Sequence, residues 1–173
     1  MLELRQALIN KPVMSLRTSA RIATATDVII NPNNLKIEGW HCIDRFSKKK
    51  YILQAGETRD IIARGIVVND QDALSDPGEL IRLQEILAHN FELIGKLVVT
   101  TGGKKLGKVN DWAADSENMY IQKIYVAQSL LKSLSGGSLS IDRSQIVEIT
   151  NKKIVVAEPT VTEEAVATAP AIV

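Results

Sequence analysis

Apolar residues in this chain come in short runs separated by turn-forming residues about every 8 to 12 positions, the spacing of an all-β protein. In the first half, segments 12–16, 20–30, 35–42, 50–53 and 60–68 read as strands; in the second half, segments 96–101, 104–109, 119–126, 144–150 and 154–157 do. Gly102-Gly103 between two such runs predicts a tight hairpin, because glycine accepts positive φ. Alternation is incomplete: Val98-Val99 and Ile61-Ile62 place apolar groups on both strand faces, which predicts sheets covered on both sides.

One stretch has a helical period instead. Leu80, Leu83 and Leu87 recur at helical spacing, flanked by Ile81, Ile86 and Phe91, after the start signal Asp76-Pro77-Gly78-Glu79. A helix of about 12 residues is expected here, joining the halves and covering sheet surface. Residues 128–134 suggest a further helical turn before Gly136-Gly137, and the tail from Glu158 lacks periodicity, as disordered segments do.

The two halves repeat each other. Leu8, Ile9, Lys11 and Val13 recur 85 positions later as Leu93, Ile94, Lys96 and Val98. Asp27, Asn34 and Ile37 recur 84 positions later as Asp111, Asn118 and Ile121, and Ile61-Ile62 falls opposite Ile146-Val147 at 85 again. A repeat of this length implies two similar units in tandem. Each has roughly 75 residues, near the lower limit for a self-sufficient core, so the units are expected to lean on each other.

Composition narrows the class. The 173 residues are 45% hydrophobic and 24% charged, with a formal charge of +1, so there is no global field to attract a polyanion. The single cysteine, Cys42, rules out an internal disulfide and suits a reducing compartment. Glu3 and Arg5 precede any apolar run, unlike a signal peptide, and no stretch reaches the ~20 apolar residues of a membrane helix. A cytoplasmic protein is expected.

At Leu93-Ile94-Gly95-Lys96, followed by an apolar strand, a glycine turn and Leu106-Gly107-Lys108-Val109-Asn110-Asp111, the second unit resembles the opening of a PRC-barrel domain. The first unit departs from that pattern, with Leu8-Ile9-Asn10-Lys11 and with Arg21-Ile22-Ala23-Thr24-Ala25-Thr26-Asp27 keeping only the apolar positions and the Asp. The resemblance spans roughly residues 7 to 157 as two copies. It implies a six-stranded barrel acting as an interaction module, as in the photosynthetic reaction-centre H subunit, which caps a membrane complex, and in a ribosome maturation factor, which engages ribosomal protein and RNA. The chain lacks the membrane helix of the former and the separate N-terminal domain of the latter.

Candidate chemistry is sparse. His41 and Cys42 are neighbours on one strand and point to opposite faces, which prevents them from sharing a metal; His89 falls near the end of the linker helix. Gly102-Gly103-Lys104-Lys105 resembles a phosphate cradle but leads into a strand rather than a helix, and Asn69-Asp70-Gln71-Asp72 lacks the glycine and terminal Glu of a calcium loop. Trp40, Trp112, Tyr120 and Tyr125 are expected to fill cores or the seam, since aromatics are only 4% of the chain, too few for a base-stacking platform. No nucleophile elbow is visible. The densest basic cluster is Arg45, Lys48, Lys49 and Lys50, the candidate contact for RNA or another anion.

These readings converge on a mainly β protein: two tandem PRC-like barrels (1–75 and 92–157), a linker helix (76–91) and a disordered tail (158–173). The expected role is a non-enzymatic adaptor that binds a protein partner or helps assemble a complex, with no cofactor, metal or catalytic residue. The alternatives are a ribosome-assembly or RNA-processing factor contacting ribosomal protein or RNA through the basic loop, and a peripheral subunit docked on a membrane complex, for which direct lipid contact is left open.

Overall fold

A computed structural model describes residues 1–127 and 138–158. It is mainly β, with two sheets, one of them curled into a half-barrel. The chain begins with β1 (Leu2–Leu4) and one helical turn, α1 (Arg5–Leu8), before β2 (Lys11–Ser15), β3 (Ala20–Ile30), β4 (Ile37–Asp44) and β5 (Lys50–Gln54). Then follow β6 (Thr58–Ile62), β7 (Gly65–Val68), the short β8 (Leu74–Ser75) and helix α2 (Gln84–His89). The second sheet is built from β9 (Leu97–Thr100), β10 (Lys105–Asp115), β11 (Ile121–Ala127), β12 (Ser138–Asp142), β13 (Ile146–Ile149) and β14 (Lys153–Val156).

The repeat in the sequence is a repeat in topology. One sheet runs β6-β7-β2-β3-β4-β5 and the other β13-β14-β9-β10-β11-β12, so equivalent strands occupy equivalent places. In each, the first strand pairs in parallel with the last, Val13 opposite Ile66 and Val98 opposite Ile154. Bulges repeat as well, between Ala25 and Asp27 in β3 and between Val109 and Asp111 in β10. At both, the aspartate accepts the next residue's N–H, from Val28 at 2.9 Å and from Trp112 at 2.8 Å. The recurring Asp is therefore a bulge residue: its carboxylate takes up an amide where the ladder is interrupted.

The position where the first unit has Asn10 and the second Gly95 is left-handed in both, with φ 54° and 83°. Asparagine is among the few non-glycine residues that adopt this conformation readily, so the departure from the glycine pattern keeps the backbone. Gly107 cannot be replaced in the same way, because a Cβ there would lie 2.0 Å from the Ala127 carbonyl oxygen on the neighbouring strand.

Two hairpin turns join the sheets. Leu35 and Met119, both at left-handed φ, close the β3–β4 and β10–β11 turns. Across them Lys36 pairs antiparallel with Tyr120; Ile37 donates its N–H to the Met119 carbonyl at 2.7 Å, and Ile121 donates to the Leu35 carbonyl at 3.0 Å. Because Ile37 matches Ile121 and Leu35 matches Met119 in the repeat, these bonds are two halves of one pseudo-two-fold contact. The segments leading into each unit cross to the other body or cover its face. β1 pairs with β10 of the second sheet, and α2 lies against β3 of the first.

One apolar cluster runs through both units, including Leu8, Trp40 and Leu53 from the first and Leu93, Trp112 and Ile124 from the second. The Trp40 indole donates to the Leu8 carbonyl at 2.9 Å, so its polar edge is satisfied inside the core. A smaller cluster of Ile29, Ile52 and Leu83, with Leu80, Ile86 and Leu87 packed on it, fastens residues 76–91 to the outer face of the first sheet. Of the paired apolar residues, Val98 and Val99 are both buried, whereas Ile62 is exposed, so the Ile61-Ile62 pair does not mark a sheet covered on both faces.

Some elements differ from the sequence reading. Residues 76–91 are not one continuous helix: 3-10 turns at Pro77–Glu79 and Ile81–Leu83 precede α2, with Leu80 between them at φ −90° and ψ 68°. Asp76 does not cap a helix with its side chain; its carboxylate is engaged by Lys49 instead. Segment 60–68 divides into β6 and β7, and 144–150 begins as a 3-10 turn before β13. The helical turn expected at 128–134 and the tail beyond Glu158 lie outside the described residues.

Candidate interaction cleft

The four basic residues singled out in the sequence sit on or beside the loop from β4 to β5, all of them exposed. Asp44 organises this loop from a buried position: one carboxylate oxygen accepts the N–H groups of Phe46 at 2.9 Å and Ser47 at 2.6 Å and the Ser47 hydroxyl at 2.8 Å. The Ser47 amide and hydroxyl hold the Asp44 carboxyl below its ordinary value against the opposing effect of burial, so a buried anion stabilises a cationic loop.

The cations have unequal tasks. Lys49 binds Asp76 at 2.9 Å and lies over the Tyr51 ring, 5.0 Å from its centre. Lys48, held at φ 59°, donates to the Arg45 carbonyl at 2.9 Å, and the Arg45 guanidinium stands 5.3 Å from the centre of the Phe46 ring. Phe46 itself is 79% exposed. Among the described residues only Lys49 of the four forms an ion pair, which leaves Arg45, Lys48 and Lys50 without a carboxylate partner.

Beside this loop the outer face of the first sheet and the 76–91 segment enclose a cleft of about 630 Å³. Thr26, His41, Ile43, Lys50, Tyr51 and Ile52 form the sheet side; Pro77, Gln84, Leu87 and Ala88 form the other wall. Register explains the arrangement: His41 is opposite Ile52 and Ile43 opposite Lys50, so one strand pair delivers two apolar and two basic side chains to one face. Desolvation lowers the His41 pKa, with the Asp27 carboxylate opposing and the Lys50 ammonium reinforcing that shift. At neutral pH the fixed positive charge of the cleft is therefore Lys50.

Cys42 points the other way, into the core, as neighbouring strand residues must. Burial pushes its thiol up to about 12, so it is protonated and inert as a nucleophile at neutral pH. His89 is exposed at the last residue of α2, where the left-handed Asn90 ends the helix.

The other suspected sites resolve into local structure. Gly102-Gly103 forms the β9–β10 hairpin, and the Gly102 N–H is taken by the Glu158 carboxylate at 3.0 Å. In the equivalent place of the first unit Asp70 binds Arg17 and accepts the Gln71 N–H, which gives Asn69-Asp70-Gln71-Asp72 a loop-fastening task. Among the described residues no group of three or more His, Cys, Asp or Glu is placed to hold a metal ion, and no helix is long and apolar enough to cross a membrane.

Smaller grooves flank the seam. One of about 190 Å³ lies between Asn33-Asn34 and β13; its counterpart of about 540 Å³ lies between Ser116-Glu117 and β6 and is lined also by Met1 and Glu3. The Met1 ammonium binds Asp115 at 3.1 Å, so the second groove is occupied at one end by the chain's own N-terminus.

The sequence reading located the basic loop but not the cleft beside it. A signal was present: Ile43 and Ile52 are apolar on strands whose inner faces are already supplied by Trp40, Cys42 and Leu53. No protein-family model matches this chain, and no curated protein matches it.

Proposed function

We propose that this chain is a cytoplasmic, non-enzymatic interaction module of the PRC-barrel type, two tandem barrel-like units that hold a protein partner during assembly of a larger complex. The observation that carries this reading is the cleft on the first unit, apolar in its walls and lined by Lys50, with Arg45 and Lys48 on the adjoining loop, three cations that form no ion pair among the described residues. Concave apolar surface with a few convergent polar groups is the usual form of a binding site. Cys42 and His41 face opposite sides of one strand and cannot act together. The repeated strand order, the bulge aspartates and the left-handed Asn10 and Gly95 support the tandem reading and the family resemblance.

Affinity capture with the full chain, split into nuclease-treated and untreated samples and read by mass spectrometry, tests the proposal. A discrete, nuclease-resistant partner set is expected. Recovery of no partner, or turnover of a substrate that is abolished by a single substitution, contradicts it.

The basic loop favours a second reading, an RNA-associated assembly factor, because unpaired cations on an exposed loop suit phosphate contacts. On that reading, replacing Lys48, Lys49 and Lys50 by Ala weakens RNA binding and flattens its dependence on salt. Affinity and salt slope unchanged by the triple substitution remove the loop as an RNA contact.

A further inference from the structure

We infer that the cleft between the β4–β5 face and α2 receives an acidic, amphipathic segment of a partner protein, apolar side chains inserted beside Ile43, Ile52 and Leu87 and carboxylates directed at Lys50. This rests on the interaction-module reading and names the chemistry of its partner.

Charge sets the sign of the occupant. Lys49 is neutralised by Asp76 on the far wall, whereas Lys50 lines the cleft, with Arg45 and Lys48 on the loop beside it, and none of these three is paired among the described residues. An anionic segment supplies the missing carboxylates, and a cationic one is repelled. The buried Asp44 carboxylate is committed to the amides and hydroxyl of its own loop, so it does not serve as a counter-ion facing the cleft.

Shape and wall chemistry select a peptide among anions. A volume of about 630 Å³ lies within the range of roughly 300–1,000 Å³ typical of ligand sites, and the walls carry Ile43, Ile52, Pro77 and Leu87. Phosphate backbones gain nothing from such walls, and with Tyr51 as the one aromatic residue lining the cleft there is no succession of rings for bases to stack on. A bilayer surface is too flat to enter a recess walled on one side by the sheet and on the other by α2. A segment with carboxylates on one face and aliphatic side chains on the other meets both features together.

The test uses the full chain and fluorescence anisotropy with a labelled amphipathic peptide of Glu and Leu. Comparison probes are a Lys and Leu peptide, a Glu and Ser peptide, a uridine oligonucleotide and phosphatidylserine vesicles. Saturable binding is expected for the Glu and Leu peptide alone. Lys50→Glu should weaken it by about tenfold or more. Ala88→Trp should also weaken it, by filling the cleft from an exposed helix position that leaves both apolar clusters intact. Circular dichroism confirms that both variants fold. No binding of the Glu and Leu peptide, or binding that both variants retain, overturns the inference, as does a Lys50-dependent preference for the oligonucleotide or the vesicles. A partner captured from lysate and retained by both variants leaves the module reading in place while removing this cleft as its site.

Discussion

Lys36 of the first unit lies directly opposite Tyr120 of the second, and the backbone bonds on either side of this pair are exchanged between equivalent residues. The contact has the reciprocity of a homodimer interface inside one chain. Ile37 and Ile121, which donate those bonds, are both buried. The seam is thus a continuation of the core.

Truncation at the seam should consequently be costly on either side. Ile37→Ala and Ile121→Ala are each expected to lower stability by about 2–5 kcal/mol, as buried Ile-to-Ala changes do. The double variant should depart from additivity by about 0.5–3 kcal/mol, because both residues contribute to one contact. Urea denaturation of the four proteins measures this; strict additivity would show the two halves to be energetically separate.

Left-handed backbone and close approach can be separated at two glycines. Gly95→Ala adds a Cβ with no atom within 4 Å but at φ 83°, so the cost is conformational, about 1–2 kcal/mol, and Gly95→Asn should recover part of it, as Asn10 does naturally. Gly107→Ala sets a Cβ against the Ala127 carbonyl oxygen at 2.0 Å and should cost more than either. Denaturation midpoints rank the three variants, and an equal loss at both positions would contradict the distinction.

The Cys42 thiol gives a pH signature. Its pKa is raised by burial from 9.0 to about 12, so the folded state holds the proton more tightly than the unfolded chain. The resulting stabilisation is fully present below pH 9.0 and declines as pH rises from there through about 12. Cys42→Ala should flatten that alkaline decline. Iodoacetamide at pH 8 should label the thiol only after denaturant is added, and rapid labelling of folded protein would contradict the burial.

Much of this architecture was legible because local and repeated signals agreed. Val13 and Val98, Asp27 and Asp111, and the Gly102-Gly103 turn all lie where pattern and offset placed them. What escaped the sequence depends on contacts between distant residues. Leu2–Leu4 is too short to show a strand period and gains its strand only by pairing with β10. The helix signal from Asp76 onward yields 3-10 turns interrupted at Leu80, and the Asp76 carboxylate lies on Lys49, distant in sequence, instead of on a helical amide. The basic cluster was visible as a run of charges, but which cations remain unpaired, and the apolar recess beside Lys50, follow from tertiary pairing of β4 with β5 and with the 76–91 segment.

That segment is held by apolar packing more than by its ion pair. Both partners of the Lys49–Asp76 bridge are solvent-exposed, and such pairs contribute about 0–1 kcal/mol, so Asp76→Ala should change global stability by less than about 1 kcal/mol. Leu83→Ala removes the buried centre of the small cluster with Ile29 and Ile52 and should cost about 2–5 kcal/mol. Hydrogen exchange of residues 77–89 should accelerate strongly in the second variant alone; equal acceleration in both would assign the segment's anchorage to the ion pair.

The account depends most on the two units forming one cooperative body, and the two tryptophans report it directly, since Trp40 lies in the first sheet and Trp112 in the second. Urea unfolding of Trp40→Phe and Trp112→Phe, each followed by fluorescence of the remaining tryptophan and by circular dichroism, is the decisive measurement. In each variant the fluorescence and circular dichroism transitions should coincide, as unfolding through a shared core and seam requires. Within a variant, a local fluorescence transition separated from the loss of β structure would contradict a single body.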